Sequence, residues 1–187
     1  MYALTEKKVM YKYVYRTPSG FDNMIMNSDG ENLTALFFEN SKDVSKLDTE
    51  CEEKFLPIFK DTIKWLDMYF NGEIPNFVPK YKVGAVSPFR RQVFDIMNKI
   101  RYGKTVTYND IAKEIARKWG IGKMSAQAVG GAVGANPICI IIPCHRVVGS
   151  NGSLTGYGGG IQNKIRLLEL EGNDMLKFTV PKKGTAL

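Results

Sequence analysis

The residues best suited to chemistry lie together at Cys144 and His145. They follow Pro143 at the end of an apolar run, ICIII, and a glycine-rich segment, GSNGSLTGYGGG, comes shortly after them. Reactive cysteines need a nearby proton acceptor, because the thiolate is the nucleophile, and His145 is the only histidine in the chain. Most cysteines at the end of a core strand are inert packing residues. We expect Cys139, inside the run, to be inert and Cys144 to be the nucleophile.

A regular strand would keep these two side chains apart. We interpret ICIII as a buried β-strand, and adjacent residues of a strand point to opposite faces. His145 therefore reaches the sulfur of Cys144 only through a turn or a bridging water. Pro143 favours a departure from the strand at this point. A proton path through one water would satisfy the chemistry.

A carboxylate at Glu171 is the candidate partner of the imidazole. IQNKIRLLELEG predicts a helix with Ile161, Ile165 and Leu168 on one apolar side, and Glu171 lies in its final turn. A negative charge there opposes the helix dipole by about 0.3 to 1 kcal/mol unless a donor compensates. Glu171 is either a solvated surface acid or the acceptor of a hydrogen bond that orients His145 and raises its basicity.

The second half of the chain is mostly helical. SPFRRQVFDIMNKI predicts a helix opened by Ser87 and Pro88. TYNDIAKEIARKW with Thr107 as N-cap, a glycine turn, and SAQAVGGAVGAN with Ser125 as N-cap predict a helix-turn-helix. The second of these helices has almost no side chains, and each of its three glycines costs it roughly 0.5 to 1 kcal/mol. Close packing inside the domain or close approach to DNA would explain this composition.

The first half predicts a small sheet covered by a helix. The strand-like runs KYVYRT and LTALFFEN are separated by turn residues, and a helix with apolar residues at helical spacing follows, with Pro57 near its start and Gly72 past its end. A Pro-containing stretch, EIPNFVPKYKVG, separates the halves. We therefore expect an α/β (α+β) fold with two domains, residues 1–80 and the mostly helical residues 81–187.

Charge differs sharply between the two halves. Residues 1–80 carry 10 of the 26 Lys and Arg residues and 13 of the 19 Asp and Glu residues, so their net charge is −3 and that of residues 81–187 is +10. The basic half is the candidate binder of a polyanion, although a merely soluble cationic surface would have the same charge.

Other features bear on where the protein works. No apolar run approaches the length of a membrane span, and the N-terminus, MYALTEKKVMYKYVY, has no secretory signal pattern. Three cysteines and one histidine form neither a disulfide framework nor a zinc ligand set. We expect a monomer without a metal or a membrane association. Its expected location is the cytoplasm, or the nucleus in a eukaryote.

The region around Cys144 resembles that of a known family. Asn-Pro, Pro-Cys-His-Arg-Val, Gly-Tyr-x-Gly-Gly and Leu-Glu-Gly elements follow one another between Asn136 and Gly172. Their order and spacing are similar to those of the O6-alkylguanine-DNA alkyltransferases (methylated-DNA–protein-cysteine methyltransferases). The resemblance covers residues 84–172, and the first half matches in layout only. It implies an RNase H-like N-terminal domain.

The resemblance implies direct-reversal DNA repair. An alkyl group, such as methyl, would move once and irreversibly from O6 of guanine in double-stranded DNA to Cys144, with O4 of thymine left open as a further donor position. His145 would be the base, acting through a water, and Glu171 would hold it. Asn136 would brace the loop, and Tyr108 would donate to the leaving oxygen. No cofactor is implied because the DNA is the alkyl donor.

The resemblance also implies two sets of binding residues. Those of the base pocket are Val147, Tyr157, Gly158, Gly159 and Lys164, although Tyr157 alone would be a core aromatic and Lys164 an exposed helix lysine. Those that contact DNA, with the second helix in the minor groove, are Ser125, Ala126, Gln127, Ala128, Gly130, Arg146 and Ser150. Gln127 replaces the family's usual arginine, which fills the space left by a flipped base. An ordinary exposed helix residue is the alternative for Gln127.

Two other functions remain open at this point. A Cys-His-Glu hydrolase would turn over an acyl substrate and would not need duplex DNA. A non-catalytic module would bind alkylated bases, with an affinity that falls with salt, and would not react. Alkyltransferase-like modules of this kind replace the acceptor cysteine, whereas Cys144 is present.

Overall fold

The structure, a computed structural model, describes residues 9–47 and 50–181. Its first half is a sheet of four strands: β1 (Met10–Tyr15), β2 (Met24–Ser28), β3 (Leu33–Phe38) and β4 (Cys51–Glu53). Their order is β3-β2-β1-β4, with β1 and β4 parallel and the other pairs antiparallel. The first eight residues of the segment examined for a secretory signal lie outside the described residues.

The two strand-like runs of the sequence are confirmed as β1 and β3. The sequence does not predict β2 and β4, because β2 lies among turn-forming residues and β4 has only three residues, two of them glutamates. One helix, α1 (Pro57–Phe70), contacts β2 and β3. Phe59 and Leu66 of α1 are fully buried, as are Met24 and Met26 of β2 and Leu33, Leu36 and Phe38 of β3. The mixed α/β fold class is therefore confirmed.

The second half is built from four helices and one short strand pair. The helices are α2 (Pro88–Met97), α3 (Tyr108–Trp119), α4 (Ala126–Val133) and α5 (Ile161–Leu170). The parallel strands are β5 (Val106–Thr107) and β6 (Val147–Val148). None of the helices in the described ranges is long and apolar enough to cross a membrane.

The predicted helix-turn-helix is present in α3 and α4. The predicted N-caps Ser87, Thr107 and Ser125 each accept a hydrogen bond from the backbone N–H three residues on. At Thr107 the carboxylate of Asp110 returns the bond in a capping box, which stabilises the start of α3. The β5–β6 pair then ties the start of α3 to the chain just after Cys144.

The glycines of α4 are not explained by packing inside the protein. A Cβ at Gly131 would meet no described atom within 4 Å, and one at Gly130 would meet only the ring of Tyr108, at the ordinary contact distance of 3.9 Å. Alanine at these positions would favour the helix. Of the two explanations that the sequence leaves open, the structure favours a face kept bare for an external partner.

The prediction of a β-strand at ICIII is wrong. Residues 138–142 make consecutive tight turns, and Ile138 forms only an isolated bridge to Leu36 of β3. Ile140 has a φ of 68°, in the left-handed region that an extended strand does not visit. The run is apolar because it is buried between the sheet and the helical half, so its composition reflects its environment and not its backbone.

Candidate active site

Cys144 stands at the end of this buried run, in a turn. Residues Cys144–Arg146 form one turn of 3-10 helix after Pro143, and the N–H of Cys144 donates to the carbonyl of Ile142 at 2.8 Å. Because this backbone is not extended, Cys144 and His145 are not forced to opposite faces. Cys144 is only 6% exposed, so the sulfur lies at the edge of the core.

Asn136 holds the loop that carries the sulfur. Its Nδ2 donates to the Ile142 carbonyl at 2.8 Å and to Sγ of Cys144 at 3.1 Å. Its Oδ1 accepts from the N–H of Ile138 at 3.0 Å. One buried amide therefore closes the turns of residues 138–142 and also presents a donor to the sulfur.

The pKa of Cys144 lies below the ordinary value of a thiol. The largest cause is a hydrogen bond from the thiol of Cys139, and the Asn136 amide and the Lys164 ammonium act in the same direction. Burial and the Asp43 carboxylate oppose the shift. The hydrogen bond to Cys144 and burial raise the pKa of Cys139, which therefore stays protonated. A thiol that stays protonated is a poor nucleophile, which agrees with the expectation that Cys139 is inert.

His145 is fully buried and keeps one ring nitrogen without a protein partner. Its Nε2 lies 2.8 Å from Oε1 of Glu171, which confirms the hydrogen bond expected from the sequence. Its Nδ1 has no hydrogen-bond partner among the described residues. An ionised carboxylate only accepts, so Nε2 carries the proton and Nδ1 carries a lone pair. The imidazole therefore offers a proton acceptor on the side away from Glu171.

The basicity of this imidazole is set mainly by burial. Burial lowers the pKa of His145, and the hydrogen bond to Glu171 raises it without restoring the ordinary value. The expected contribution of Glu171 is therefore real, but the net change is opposite to the one that the sequence predicts. The ring is neutral near pH 7, which is the state that a base requires.

Glu171, just after α5, is buried and surrounded by donors. Its partners are Nε2 of His145 at 2.8 Å, the hydroxyl of Tyr69 at 2.7 Å, the N–H of Gly103 at 3.0 Å, and Nε and Nη2 of Arg146 at 2.9 and 2.8 Å. Burial disfavours the charge, but the bonds from His145 and Arg146 hold the pKa of Glu171 well below its usual range. These donors compensate the unfavourable helix dipole.

Arg146 pairs with this carboxylate. Its guanidinium makes paired bonds to Glu171, and Nη1 donates to the carbonyl of Ile100 at 2.7 Å. The side chain is only 12% exposed. Its donors neutralise a buried charge that no other cation reaches as closely among the described residues, so a contact of Arg146 with DNA stays a prediction.

Lys164 is fully buried on α5, so its interpretation as an exposed helix lysine is wrong. Its Nζ donates to the carbonyl of Val147 at 2.7 Å and to that of Thr155 at 3.3 Å. Burial lowers its pKa to about 8. The ammonium joins β6 to the glycine-rich loop and lies 5.7 Å from the ring centre of Tyr157.

An open pocket of about 440 Å³ lies beside α4. It is lined by Tyr108, Asn109, Ala126, Gln127, Gly130, Gly149, Ser150, Thr155 and Gly156. Ser125 and Ala128 are exposed on α4 outside this lining, and Val147, expected as a pocket wall, is buried in β6. Burial and then the charge of Cys144 raise the pKa of Tyr108 to about 12. Tyr108 thus connects the pocket with the reactive sulfur.

The loop that carries Tyr157 needs its glycines for close contacts. A Cβ at Gly159 would overlap the rings of Tyr157 and Phe38, and a Cβ at Gly158 would overlap the carboxylate of Asp43. The Tyr157 hydroxyl is buried with no hydrogen-bond partner among the described residues. These glycines are therefore more than turn formers, since the loop is pressed against the N-terminal domain.

The N-terminal domain contributes residues that the sequence analysis misses. Asp43 and Lys46 form an ion pair in the 3-10 helix Lys42–Lys46. Lys46 also donates to the carbonyl of Gly134, at the end of α4, at 2.7 Å. Nothing local in SKDVSK distinguishes these charges from a solvated surface. Their role is visible only where the two halves meet.

The described residues offer no metal site. No group of three or more His, Cys, Asp or Glu side chains within residues 9–47 and 50–181 could hold an ion. Cys139 and Cys144 are both buried, and neither forms a disulfide.

Two family models match the chain. The 6-O-methylguanine DNA methyltransferase ribonuclease-like domain matches residues 10–78, and the DNA binding domain of the same family matches residues 88–173. A methylated-DNA–protein-cysteine methyltransferase of Haemophilus influenzae is 36% identical over 178 residues, which are 94% of this chain and 91% of that protein. The chain belongs to the O6-methylguanine-DNA methyltransferase family.

Solved structures agree with membership of the O6-methylguanine-DNA methyltransferase family. The O6-methylguanine methyltransferase of Mycobacterium tuberculosis is 35% identical, with a TM-score of 0.72 over 87% of this chain and 93% of that one. A structure of the M. tuberculosis protein in complex with DNA has a TM-score of 0.71 and 34% identity, and covers 86% of this chain and 92% of that one. This methyltransferase thus acts in direct-reversal DNA repair, and its second half is a DNA-binding domain.

Gly158→Ala tests the contact between the loop and the N-terminal domain. We expect the variant to transfer an alkyl group about 10- to 100-fold more slowly, because the added methyl overlaps Asp43 and displaces the loop beside the sulfur. Single-turnover transfer of a labelled methyl group from DNA measures the rate.

The double variant Asp43→Ala/Gly158→Ala should recover most of this loss, since the overlapping carboxylate is gone. Gly84→Ala is the matched control, because its Cβ would meet nothing within 4 Å. A normal rate in Gly158→Ala, or no recovery in the double variant, would show that this contact does not position the loop.

The neutral, buried His145 should make stability depend on pH. The pKa of His145 in the folded protein lies below the value of about 6.5 in the unfolded chain. At lower pH the unfolded chain therefore binds a proton that the folded protein does not bind. The free energy of unfolding should therefore fall below about pH 6.5, by up to about 1.4 kcal/mol per pH unit. Urea unfolding between about pH 5 and 7.5 measures this slope.

His145→Gln should lose this part of the slope. His145 is the only histidine, so the difference between the two curves isolates its protonation. Parallel curves for the two proteins would mean that folding leaves the pKa of His145 unchanged.

Proposed function

We propose that this protein accepts an alkyl group from O6 of guanine in DNA onto Sγ of Cys144, once per molecule. The observation that carries the proposal is the state of His145: Nε2–H is held by an ionised Glu171, and Nδ1 is left as a bare acceptor in the interior. A thiol with a lowered pKa is the residue next to it. A base and a nucleophile in this arrangement suit thiol activation.

The proposed step balances as a single displacement. The thiol proton of Cys144 passes through a water to Nδ1 of His145, and the sulfur bonds to the alkyl carbon. The bond between that carbon and O6 breaks, and its electrons remain on the oxygen. Tyr108 keeps its proton near pH 7, because its pKa is raised to about 12, so its hydroxyl is the proposed hydrogen-bond donor to O6.

The thioether product explains the proposed single use. A carbon–sulfur bond to Cys144 has no good leaving group, so water does not regenerate the thiol. No cofactor takes part in the proposed step, because the damaged base brings the alkyl group with it. Transfer from O4 of thymine would use the same sulfur and the same base.

The proposed DNA surface is the bare face of α4 with the adjoining pocket. Residues 81–187 have a net charge of +10, which attracts a polyanion. Gln127 and Ser150 both line the pocket, together with Tyr108. The reacting carbon is inside the duplex until its base rotates out. We place the extruded guanine in this pocket and the glycine face of α4 in the minor groove.

Substrate preference, assembly and location are also proposals. The preference is for double-stranded DNA with O6-alkylguanine, bound by one copy of the chain. The proposed location is the cytoplasm, or the nucleus in a eukaryote. The two reduced thiols that cooperate in the site, Cys139 and Cys144, suit a reducing compartment.

Cys144→Ser tests the acceptor directly. After mixing with O6-methylguanine duplex, the unaltered protein should gain the mass of one methylene, because a methyl group replaces the thiol hydrogen. The Ser variant should gain nothing, and peptide mapping should place the methyl on Cys144. Cys139→Ser is the matched control and should still gain one methyl group.

The rival functions give different outcomes in this experiment. Protein that binds the duplex and keeps its mass would indicate a lesion-binding module. Repeated turnover of an acyl substrate by Cys144, with no methyl gain, would indicate a hydrolase. Either result refutes the proposal.

Gln127→Arg tests whether this position assists base rotation. Arginine would fill the vacated stack and add a charge near the phosphates, so we expect faster repair of duplex DNA than in the unaltered protein. Transfer from a free O6-alkylguanine base should change little, since that substrate needs no rotation. Single-turnover rates on both substrates provide the comparison.

Gln127→Lys is the matched control for charge alone, since lysine adds a cation without the planar guanidinium. It should tighten binding to duplex and accelerate transfer less than arginine does. Equal acceleration of the duplex and free-base reactions by Gln127→Arg would show that the residue does not act on base rotation.

A further inference from the structure

Tyr69 brings the N-terminal domain into direct contact with the His145–Glu171 pair. It lies near the end of α1, which covers the sheet, and is 1% exposed. Its hydroxyl donates to Oε1 of Glu171 at 2.7 Å and lies 3.3 Å from Nε2 of His145. The proposed reaction assigns this hydroxyl no role.

We propose that Tyr69 is a positioning residue that sets the tautomer and the basicity of His145. Its hydroxyl hydrogen is given to Glu171, so its oxygen faces the imidazole as a second acceptor for Nε2–H. Both oxygens hold the proton on Nε2, and Nδ1 is left as the free base. The inference rests on the proposed function for its effect on alkyl transfer, but the state of the ring is a property of the unreacted protein.

Tyr69 acts as a donor because it does not ionise. Burial, and then the charge of Glu171, raise its pKa well above the ordinary value. The ring is also fixed independently of its hydroxyl. It stacks on Trp65 at 5.4 Å and meets the edges of Phe70 and Tyr102. Phenylalanine at this position would therefore keep the packing and lose only the hydrogen bond.

The sign of the effect follows from the charges around His145. The groups that face it are Glu171, Arg146 from the same turn, Lys164 from α5 and Tyr69 from α1. Arg146 and Lys164 disfavour the protonated ring, and Glu171 favours it. The hydrogen bond of Tyr69 to Glu171, at 2.7 Å, withdraws part of the carboxylate's charge from the imidazole, and this outweighs the weaker 3.3 Å contact of the Tyr69 oxygen with Nε2. Removing the hydroxyl should therefore raise the pKa of His145.

The single histidine makes the test direct. In the full-length protein without a histidine tag, labelled with ¹⁵N-histidine, the two ring nitrogens belong to His145 alone. For Tyr69→Phe we expect the titration midpoint of the ring to rise by about one pH unit, which is a tenfold change in its protonation equilibrium. The pH at which the methyl-transfer rate falls to half on the acid side should move up by the same amount. Well below both midpoints the variant should therefore react about tenfold more slowly.

Tyr102→Phe is the matched control. Its hydroxyl donates to the carbonyl of Leu170 at 3.0 Å, beside Glu171 but not to its carboxylate. That variant should keep the titration midpoint and the rate profile of the unaltered protein. An unchanged midpoint in Tyr69→Phe, or an equal shift in both variants, would overturn the inference.

The unaltered protein supplies a test that does not depend on how a variant folds. Its ¹⁵N shifts should show the proton on Nε2 and a bare Nδ1. A proton on Nδ1 would mean that Nε2 accepts from Tyr69, which reverses the proposed hydrogen bonds and overturns the inference. Mass spectrometry of the same samples separates the two ideas. A shifted titration without methyl gain refutes the proposed function and keeps the role of Tyr69, whereas methyl gain with an unshifted titration does the opposite.

Discussion

The site depends on one buried carboxylate. Removing a charge like that of Glu171 from water costs several kcal/mol unless partners replace the solvent. Here the partners come from four places along the chain, at residues 69, 103, 145 and 146. Each donor keeps its place because losing it would leave the buried carboxylate with an unpaired charge. The state of the imidazole, with its proton on Nε2, is a consequence of that requirement.

The sulfur of Cys144 also depends on buried donors and charges around it. Cys144 lies at the edge of the core, where Cys139 and Asn136 donate to it and Lys164 contributes a nearby positive charge. Burial alone would disfavour the thiolate, and these neighbours reverse the balance. The charge of Lys164 acts strongly on the sulfur because the ammonium is buried away from solvent, where it is bonded to two backbone carbonyls. The protonation states of the thiol, the imidazole and the carboxylate therefore all depend on buried hydrogen bonds that water does not weaken.

The two domains share this site. The sheet domain places Tyr69 against the carboxylate, Asp43 against Gly158 of the glycine-rich loop, and Lys46 on the last turn of the bare helix α4. A bridge between Leu36 and Ile138 joins β3 to the turns that lead to the sulfur. The N-terminal half thus supports both the reactive residues and the proposed DNA surface, and it does so through residues scattered between positions 36 and 69.

Local patterns in the sequence were enough for the helices, their N-caps and the pairing of His145 with Glu171, because helix periodicity, capping and motif spacing act over short stretches of chain. Local patterns failed where the surroundings of a residue in the folded protein decide its conformation or its partners. The apolar run at residues 138–142 resembles a strand but turns. Nothing local in the sequence shows that Arg146 neutralises Glu171 or that Lys164 is buried. Tyr69, Asp43 and Lys46 carry no local signal at all. The sequence by itself determined which groups could react, and only the tertiary structure decided their charges and partners, because those depend on burial and on contacts between residues far apart in the chain.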